Sequence, residues 1–488
     1  GLNGLSISNV RLNGATLEID TNASTFASPE VAITLGGSLA GLVIDSVSDN
    51  ASDTLITFIS NSAPVFAGLD GAPSFTEGGS AVVIDSDVTI SDTELDALNG
   101  GNGDYAGASL TVARNGGADA SDSFGFDTDG AGFMVNGSDL EDGGQAFASF
   151  TNSGGTLTIN FTGASTTATS TLVDEVLQRI TYANTANDPD ASVTLDYIFN
   201  DGISDSSGSN QATVSITNVN DAPTLSATGQ DPTYIEGNAG ADLYSGVTAS
   251  AVEAADRFTG MSLTVTNVSD GADEILAFDG SDIALTNGNS VTTDNNGLGV
   301  TVTVAGSTAT VSFSDGLLTN DQMQTLVDAM NYRNESDNPT TAGNRVVTIT
   351  GITDNGGTAN GGVNVAAPNL TTTVSLTGVN DAPVIGNVNG DTSDVIAGSG
   401  AVAISGFGDA TVTNIDSADY NGGFLTLAQN TGTTNGNWFV DGTTARSGGD
   451  GTISAGETIQ VDGTTIGTVD GVDDGQGGND LTINFNSA

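Results

Sequence analysis

The string Val-Asn-Asp-Ala-Pro occurs twice in this chain, at 219–223 and at 379–383. A related string, Ser-Asn-Ser-Ala-Pro, ends at Pro64, so the prolines that close the three strings lie 159 and 160 residues apart. Between them, Tyr182 and Tyr332 occupy matching places in two similar segments. Repetition over this length predicts tandem domains, each of which buries a core of its own.

The three prolines divide the 488 residues into four predicted segments. We expect a partial β domain or donated strand-rich segment at 1–63, complete repeats at 64–223 and 224–383, and an incomplete repeat at 384–488. Two explanations of the incomplete repeat stay open. Either the sequence is a window of a longer protein, or the N-terminal segment of a neighbouring copy completes the repeat, which would build a head-to-tail filament.

Within the repeats, apolar residues alternate with threonine and serine, as at 192–199 and 299–305. This period of two, with many β-branched residues, is typical of half-buried strands. Stretches rich in glycine, asparagine and aspartate separate the strands and predict turns. The sequence therefore predicts an all-β fold of tandem β-sandwich repeats.

One segment of each complete repeat departs from this pattern. At 170–180 the apolar residues recur at helical spacing, and 319–330 repeats the arrangement. We expect capping boxes formed by Thr171 with Asp174 and by Thr319 with Gln322. Each complete repeat should thus contain one short helix, which we interpret as core structure without a functional role.

The charge of the chain restricts its partners. Aspartate and glutamate total 60 against seven basic residues, all of them arginine, which gives a formal charge of −53. Such a chain repels phosphate, so binding to nucleic acid is not expected. No apolar run approaches the roughly 18 residues of a membrane span, so membrane insertion is not expected either. Self-repulsion opposes folding unless external cations or high salt neutralise it.

The chain contains no histidine, cysteine or lysine. Histidine- or cysteine-based nucleophiles, ordinary zinc sites and Schiff-base chemistry are therefore excluded. Paired carboxylates can hydrolyse glycosides, but no acid stands apart from the many others, so we predict that the protein is not an enzyme. The remaining carboxylate, amide and hydroxyl oxygens are ligands for hard cations, above all calcium.

The recurring string places oxygen ligands directly before a proline. Asn220, Asp221, Asn380 and Asp381 precede Ala-Pro, and proline makes the junction stiff and extended. The string is also a good turn sequence, which is a purely structural alternative. Its recurrence at both clear boundaries favours an ion site.

These strings resemble the linkers of cadherin-like tandem repeats in giant bacterial surface adhesins and exported proteins of the RTX and VCBS-containing kind. The stretch at 72–118 is especially similar to those repeats. The resemblance covers roughly 64–488. It implies Ig/cadherin-like β-sandwiches, stiffened by calcium and located outside the cell on the bacterial surface. It also implies type I secretion and a role in cell adhesion or biofilm.

The resemblance further implies a set of calcium ligands. Linker residues bind the ion together with an early acidic residue and with acidic clusters at the ends of the sandwich. Carried over to this sequence, the ligands are Glu77, Asp92, Glu94, Asp96, Asp104, Asp201, Asn220, Asp221, Glu236, Glu253, Asp256, Asp354, Asn380, Asp381, Asp416 and Asp419. The first junction departs from the pattern because Ser62 stands where aspartate is expected, which predicts weak or absent calcium binding there.

Three functions follow from these observations. The first is a structural and adhesive segment, either the stalk of a surface adhesin or the subunit of an extracellular fibre. The second is a module that binds a surface glycan or protein. The third is an accessory region of an exported enzyme. Repetition favours the first, because a stalk needs many equivalent units while a receptor site needs one special loop.

Overall fold

A computed structural model describes most of the chain, and strands dominate the described residues. These are 10–13, 16–19, 31–34, 42–49, 54–163, 165–388, 410–417, 419–428, 444–446 and 453–487. Strands join into sheets that share buried cores, so the predicted all-β fold of tandem sandwich repeats is confirmed. None of the helices in these residues has the length and hydrophobicity to cross a bilayer.

The described residues of the N-terminal part contain five strands in two small sheets. Their bounds are β1 Val10–Asn13, β2 Thr16–Ile19, β3 Val31–Thr34, β4 Leu42–Asp49 and β5 Thr54–Ser60. The first three strands form one sheet, and β4 pairs with β5 in a hairpin. Leu17 and Ile19 on β2 are buried, and Ile44 and Phe58 of the hairpin pack against them.

The next segment contains thirteen strands and two helices. They are β6 Val65–Ala67, β7 Ser74–Thr76, β8 Val82–Val83, β9 Thr89–Ser91, α1 Thr93–Ala97, β10 Ser109–Arg114, β11 Asp122–Phe126, β12 Met134–Asn136, β13 Asp139–Asp142, β14 Gln145–Ser153, β15 Thr156–Phe161, α2 Ser170–Gln178, β16 Ile180–Asn184, β17 Ser192–Asn200 and β18 Gln211–Thr217. The large sheet has the order β12-β13-β14-β15-β10-β17-β18-β7, and β11-β16-β8 and β6-β9 form smaller sheets.

The core of this repeat lies between the large sheet and the smaller ones. Strand β17 shows the predicted alternation, because Val193, Leu195, Tyr197 and Phe199 are buried while the residues that alternate with them are more exposed. The core also includes Tyr182 of the small sheet and Val176 of α2. The strand period observed in the sequence therefore determines which face of the sheet is apolar.

The second complete repeat contains fourteen strands and one helix. They are β19 Thr224–Gly229, β20 Thr233–Ile235, β21 Ala241–Asp242, β22 Tyr244–Ser250, β23 Phe258–Thr266, β24 Glu274–Phe278, β25 Ser281–Ala284, β26 Ser290–Thr292, β27 Gly299–Ala305, β28 Thr308–Phe313, α3 Asn320–Asp328, β29 Asn331–Asn334, β30 Arg345–Asp354, β31 Val365–Ala366 and β32 Leu370–Thr377. The large sheet runs β20-β32-β30-β23-β28-β27-β26 with β31 paired to β30, and β21-β29-β24-β25 and β19-β22 are separate sheets.

A buried ion pair with a tyrosine recurs in both complete repeats. In the first, Tyr182 donates to Asp122 at 2.6 Å and Arg114 binds the same carboxylate. In the second, Tyr332 donates to Glu274 at 2.8 Å and Arg345 binds that carboxylate. The arginine comes from β10 in the first repeat but from β30, the counterpart of β17, in the second. Adjacent strands of the large sheet thus supply an arginine to the equivalent carboxylate in the two repeats.

The last part has seven described strands. They are β33 Val384–Gly386, β34 Thr411–Thr413, β35 Phe424–Leu427, β36 Thr444–Arg446, β37 Thr458–Val461, β38 Thr464–Asp474 and β39 Leu481–Phe485. Strands β33 and β34 pair, and the others form a sheet with the order β35-β39-β38-β37-β36. Ile453, Ile459, Val469 and Leu481 form its buried cluster.

The helices match the sequence expectations in part. Helix α3 begins with the predicted capping box of Thr319 and Gln322. The box predicted at Thr171 is wrong, because α2 begins two residues earlier with Thr169 as its N-cap and Asp174 accepts the N–H of Ile90 instead. The first complete repeat also contains a second helix, α1, which was not predicted. Asp92 is its N-cap and accepts two backbone N–H groups.

Contacts group the chain into two compact units. The first comprises Gly1–Ala222, Ala251–Asp256 and Asn355–Asn364. The second comprises Pro223–Ser250, Arg257–Asp354 and Val365–Ala488. The four segments expected from the sequence remain a prediction.

Candidate metal centre

The second junction, Val219 to Asp221, has an acidic neighbour supplied by a distant strand. Strand β7 pairs in parallel with β18, with Thr76 opposite Thr217, so Glu77 emerges beside the end of β18. Its Oε2 accepts the backbone N–H of Val219 at 2.9 Å, across 142 residues of sequence. The early acid of this repeat therefore lies at the junction that ends the repeat.

A second glutamate binds the same junction from the loop that follows β22. The backbone N–H of Asp221 donates to Glu253 Oε1 at 2.8 Å. Glu253 is 9% exposed, and its Oε2 is buried without a hydrogen-bond partner in the described part of the chain. A buried carboxylate oxygen without a donor is unfavourable, and a cation would remove that cost.

Asp188 is a further acid at this junction that the sequence analysis missed. Its Oδ2 accepts the N–H of Ala254 at 2.9 Å and its Oδ1 accepts from the side chain of Asn218. The available signal was the Asn-Asp-Pro string at 187–189, which matches Asp-Asn-Pro at 337–339 in the next repeat. Its link to Ala254 became visible only when the chain was folded.

Asn220 and Asp256 lie around the same glycine. A Cβ on Gly356 would come within 1.7 Å of Asn220 Oδ1 and 2.3 Å of Asp256 Oδ2, so both side chains lie directly against this glycine. Asn220 also donates through Nδ2 to the carbonyl of Val363 at 2.7 Å. All of these residues belong to the first compact unit. The cluster formed by Glu77, Asp188, Asn220, Asp221, Glu253 and Asp256 is called the second-junction cluster below.

The carboxylates of this cluster repel one another. Burial raises the pKa of Glu77, the N–H of Val219 partly offsets this, and the charges of Asp221 and Asp188 raise the pKa further. Burial also raises the pKa of Glu253, to which Asp256 and Asp221 contribute by repulsion. No arginine is among the main causes of either shift. The cluster therefore favours a bound cation or a proton.

The first junction repeats this geometry with different side chains. The N–H of Ser62 donates to Glu94 Oε2 at 3.2 Å, across the same 32 residues that separate Asp221 from Glu253. Asn61 donates to Asp201 Oδ2 at 2.8 Å. Glu94 is thus the counterpart of Glu253, and Ser62 stands in the place of Asp221.

Asp92 adds a buried carboxylate to the first junction. It is 2% exposed, its Oδ1 accepts the N–H groups of Glu94 and Leu95, and its Oδ2 has no hydrogen-bond partner among the described residues. Burial raises the pKa of Asp92, and the charges of Asp201 and Glu94 add to the rise. Asp92, Glu94 and Asp201 therefore form the acidic part of this site.

The structure gives two of the predicted ligands other roles. Asp96 Oδ1 accepts hydroxyl groups from Tyr105 and Ser170, each at 2.7 Å, while its Oδ2 accepts the N–H of Asp92. Its contacts tie α1 to the core. Asp104 accepts the N–H of Ala106 in a local turn.

At the third junction, as at the second, two carboxylates accept backbone N–H groups of the junction. Glu236 Oε2 accepts the N–H of Val379 at 2.7 Å, across 143 residues, as Glu77 does at the second junction. Asp416 Oδ2 accepts the N–H of Asp381, as Glu253 does for Asp221.

Other groups at this junction differ from those at the second. Asn338, in the place of Asp188, donates to the carbonyl of Ile415 at 2.7 Å. Asn380 donates to the carbonyl of Asp381, and Asp419 accepts the N–H of Asn421 in a local turn. Asp354 ends β30 with its side chain buried, as Asp201 follows β17 in the first repeat.

Comparisons with known proteins give no family. No protein-family model matches the chain, and no curated protein matches it. Solved structures similar to it include cadherin extracellular regions. Protocadherin gamma-B4 matches at 11% identity and TM-score 0.22, over 86% of this chain and 51% of its own chain.

Human protocadherin-24 EC1-2 matches at 10% identity and TM-score 0.23, over 65% of this chain and 100% of its own. Drosophila N-cadherin EC1-4 matches at 13% identity and TM-score 0.21, over 76% of this chain and 65% of its own. This chain spans about half of the protocadherin gamma-B4 chain and just under two thirds of the N-cadherin chain. Similarity at these identities and TM-scores does not establish the fold. The fold assignment rests on the strand pairing.

Proposed function

We propose that the junctions bind calcium and that the chain is a calcium-stiffened extracellular structural and adhesive segment. It would serve as the stalk of a bacterial surface adhesin or as the subunit of an extracellular fibre, and it would catalyse no reaction. Export by type I secretion and a role in biofilm belong to the same proposal.

The observation that carries this proposal is the buried, unpartnered oxygen of Glu253 at the second junction. Asp92 has such an oxygen at the first junction too, within the described residues. Calcium takes six to eight oxygen ligands at about 2.3–2.6 Å, from carboxylates, amide and backbone carbonyls and water. The second-junction cluster supplies five carboxylates and an amide oxygen of the required kind.

The basic side chains support an external cation. Arg114, Arg179, Arg333 and Arg345 form ion pairs with acids outside the junctions. Their charge is therefore committed elsewhere, while the whole chain carries a formal net charge of −53. Divalent ions are the effective means of relieving that repulsion, because each cancels two carboxylate charges at one place.

Calcium at the second junction would stiffen the chain by joining segments that are far apart in sequence. Glu77 follows β7, Asn220 and Asp221 precede Pro223, and Glu253 lies in the loop after β22. Calcium bound to ligands from more than one of these segments would restrict rotation at the junction, where Pro223 already limits the backbone. Extracellular modules bind calcium with a Kd of about 10⁻⁴–10⁻³ M, so such a segment would stiffen after export.

The experiment that tests the proposal compares the full chain in calcium and in EDTA, with magnesium as a control ion. We expect calcium to raise the melting temperature, because a ligand at about 100 times its Kd stabilises a protein by about 2.7 kcal/mol per site. Small-angle scattering should show a longer and less variable particle in calcium than in EDTA. Identical melts and scattering curves in the two buffers would refute the proposal.

A further inference from the structure

The two complete repeats differ in charge at one position of a matching loop. The loop after β16 has Asn-Asp-Pro at 187–189, and the loop after β29 has Asp-Asn-Pro at 337–339. In both loops the proline is buried and the residue before it is exposed. Asp188 and Asn338 therefore occupy the same place, but Asp188 carries a charge and Asn338 does not.

Both residues contact the acid-bearing segment beyond the next junction, with opposite hydrogen-bond polarity. Asp188 Oδ2 accepts the backbone N–H of Ala254 at 2.9 Å, whereas Asn338 Nδ2 donates to the carbonyl of Ile415 at 2.7 Å. Each contacted residue is adjacent in sequence to the acid that accepts a backbone N–H of the same junction. The charged contact at the second junction is thus replaced by a neutral one at the third.

A second exchange accompanies the first. Asn218 Nδ2 donates to Asp188 Oδ1 at 2.9 Å, and Asn218 directly precedes the string Val-Asn-Asp-Ala-Pro. At the third junction, Gly378 stands before the same string, so the amide is lost together with the carboxylate. A Cβ on Gly378 would lie 3.6 Å from Glu236 Oε2, an ordinary contact, so space does not require glycine there. The aspartate and its amide partner therefore form a pair that the second junction has and the third lacks.

Asp188 adds repulsion to a set of acids that recurs at both junctions. This set has an early acid, the aspartate of the string and an acid beyond the junction, namely Glu77, Asp221 and Glu253 at the second and Glu236, Asp381 and Asp416 at the third. Burial is the main cause that raises the pKa of Glu77, and the charge of Asp188 adds to the rise. Asn338 brings no such charge. The second junction therefore has more carboxylate repulsion to relieve.

The exposure of the two junctions increases this difference. Residues 219–222 are half-buried and Pro223 is buried, whereas all of 379–383 are exposed. Water and salt screen charges at an exposed site, while partly buried charges interact more strongly. Without calcium, carboxylate repulsion is therefore greater at the second junction, and a bound cation relieves more of it there.

We propose that calcium controls the flexibility of the second junction more strongly than that of the third. At the second, Asp188 repels the other acids until an ion neutralises them, and its loop then holds the segment around Ala254. At the third, the hydrogen bond from Asn338 to Ile415 forms without an ion, so this junction changes less when calcium is removed. The difference depends on the calcium binding proposed above, and at low calcium the chain would loosen first between its two complete repeats.

Spin labels on the full chain measure the two junctions separately. Because the sequence has no cysteine, labels attach only to cysteines that are introduced. The pair Thr213→Cys/Thr303→Cys spans the second junction and the pair Thr303→Cys/Thr468→Cys spans the third, all at exposed positions. Pulsed electron paramagnetic resonance gives the distribution of label distances in calcium and in EDTA. We expect the removal of calcium to broaden the distribution across the second junction more than that across the third.

Exchange of the side chains between the two junctions tests whether this position sets the difference. The variant Asn338→Asp/Gly378→Asn places the aspartate and its amide at the third junction and should raise the calcium response there towards that of the second. The reverse variant, Asp188→Asn/Asn218→Gly, should lower the response of the second junction. The matched control, Ser290→Asp, adds one charge at an exposed position of the second complete repeat and should change neither response.

Equal calcium responses at the two junctions of the wild type would overturn the proposal, as would exchange variants that respond like the wild type. A response raised equally by Ser290→Asp would also overturn it, because general surface charge would then be the cause. A wild type in which neither junction responds would refute the proposed calcium stiffening itself, and the difference between the junctions with it.

Melts in EDTA show whether the exchange variants are folded. If the double variant at the third junction is not, the single variant Asn338→Asp replaces it. An unchanged response of the third junction in that variant would then overturn the proposal.

Discussion

Asp221 donates its backbone N–H to Glu253 Oε1 at 2.8 Å, and the other carboxylate oxygen of Glu253 is buried with no hydrogen-bond partner in the described chain. One oxygen therefore positions the junction while the other is available to an ion. The same division occurs at Asp92, whose Oδ1 caps α1 while its Oδ2 has no partner among the described residues. This pairing of a structural and an available oxygen is the basis of the first three predictions.

Replacing Glu253 with glutamine should weaken calcium binding at the second junction. The variant Glu253→Gln keeps an acceptor for the N–H of Asp221 but removes the charge that faces the ion. We expect affinity for one ion to fall by at least about tenfold, a loss that even the removal of an outer-shell partner can cause. Isothermal titration of the full chain measures this.

The matched control for that variant is Glu141→Gln, which removes the same charge from strand β13. Its calcium isotherm should overlay that of the wild type. An unchanged isotherm for Glu253→Gln would show that this oxygen does not bind the ion.

Replacing Ser62 with aspartate should create at the first junction the ligand that the second junction has in Asp221. Without calcium, the new carboxylate would lie beside Glu94, which now accepts from Ser62, and should lower the melting temperature. With calcium, the order should reverse, because the ion gains a ligand. Differential scanning calorimetry in EDTA and in calcium checks both signs.

The control for the serine variant is Ser138→Asp, at an exposed turn of the first complete repeat. It should shift the melting temperature little in either buffer. A Ser62→Asp protein whose calcium-dependent shift equals that of the wild type would contradict the prediction.

The pH dependence of stability without calcium should differ between the wild type and Glu253→Gln. Burial and repulsion hold the folded-state pKa of Glu253 above its ordinary value of 4.5, so the folded state binds more protons than the unfolded state in that range. The ionised carboxylate therefore destabilises the fold above the raised pKa, and this cost disappears as the pH falls toward 4.5.

In EDTA, the variant should thus be more stable than the wild type near neutral pH, and the two should converge on acidification. Thermal melts across this range measure the difference. A constant difference at all pH values would show that Glu253 titrates normally in the folded state.

Removing the buried arginine of the second repeat should be strongly destabilising. Arg345 and Glu274 are both fully buried, with Nη2 and Oε1 2.9 Å apart. The variant Arg345→Met leaves the buried Glu274 carboxyl without its partner, which typically costs about 3–5 kcal/mol. The half-exposed pair of Arg333 with Asp282 is the control, and Arg333→Met should cost less than about 1 kcal/mol.

Urea denaturation in calcium measures both costs. The double variant Arg345→Met/Glu274→Gln should recover part of the loss, since it leaves no buried charge. Equal costs for the two arginine variants would contradict the prediction.

Several elements could be predicted because their signals are local. The alternation in 192–199 identified β17, and the capping box of Thr319 and Gln322 identified the start of α3. The prediction at Thr171 failed because Thr169 is the N-cap of α2 and Asp174 accepts the N–H of Ile90, on strand β9. Spacing alone cannot reveal such a distant donor.

The candidate ligands likewise divide into those that the sequence could identify and those that depend on distant contacts. Resemblance supplied the identities of Glu77 and Glu253, but their partners lie 142 and 32 residues away and depend on strand pairing. Asp96 was assigned to the ion, yet Tyr105 and Ser170 occupy its carboxylate. Asp188 was missed, because no local pattern distinguishes it from the other acids.

By itself the sequence determined that this chain is repeated, built of strands and limited to oxygen ligands, since composition and hydrophobic period are properties of the chain. Which acids are buried, which are consumed by hydrogen bonds and which retain a free oxygen was decided by tertiary structure. The physical reason is that desolvation and carboxylate repulsion depend on distances between residues that only the packed sheets bring together.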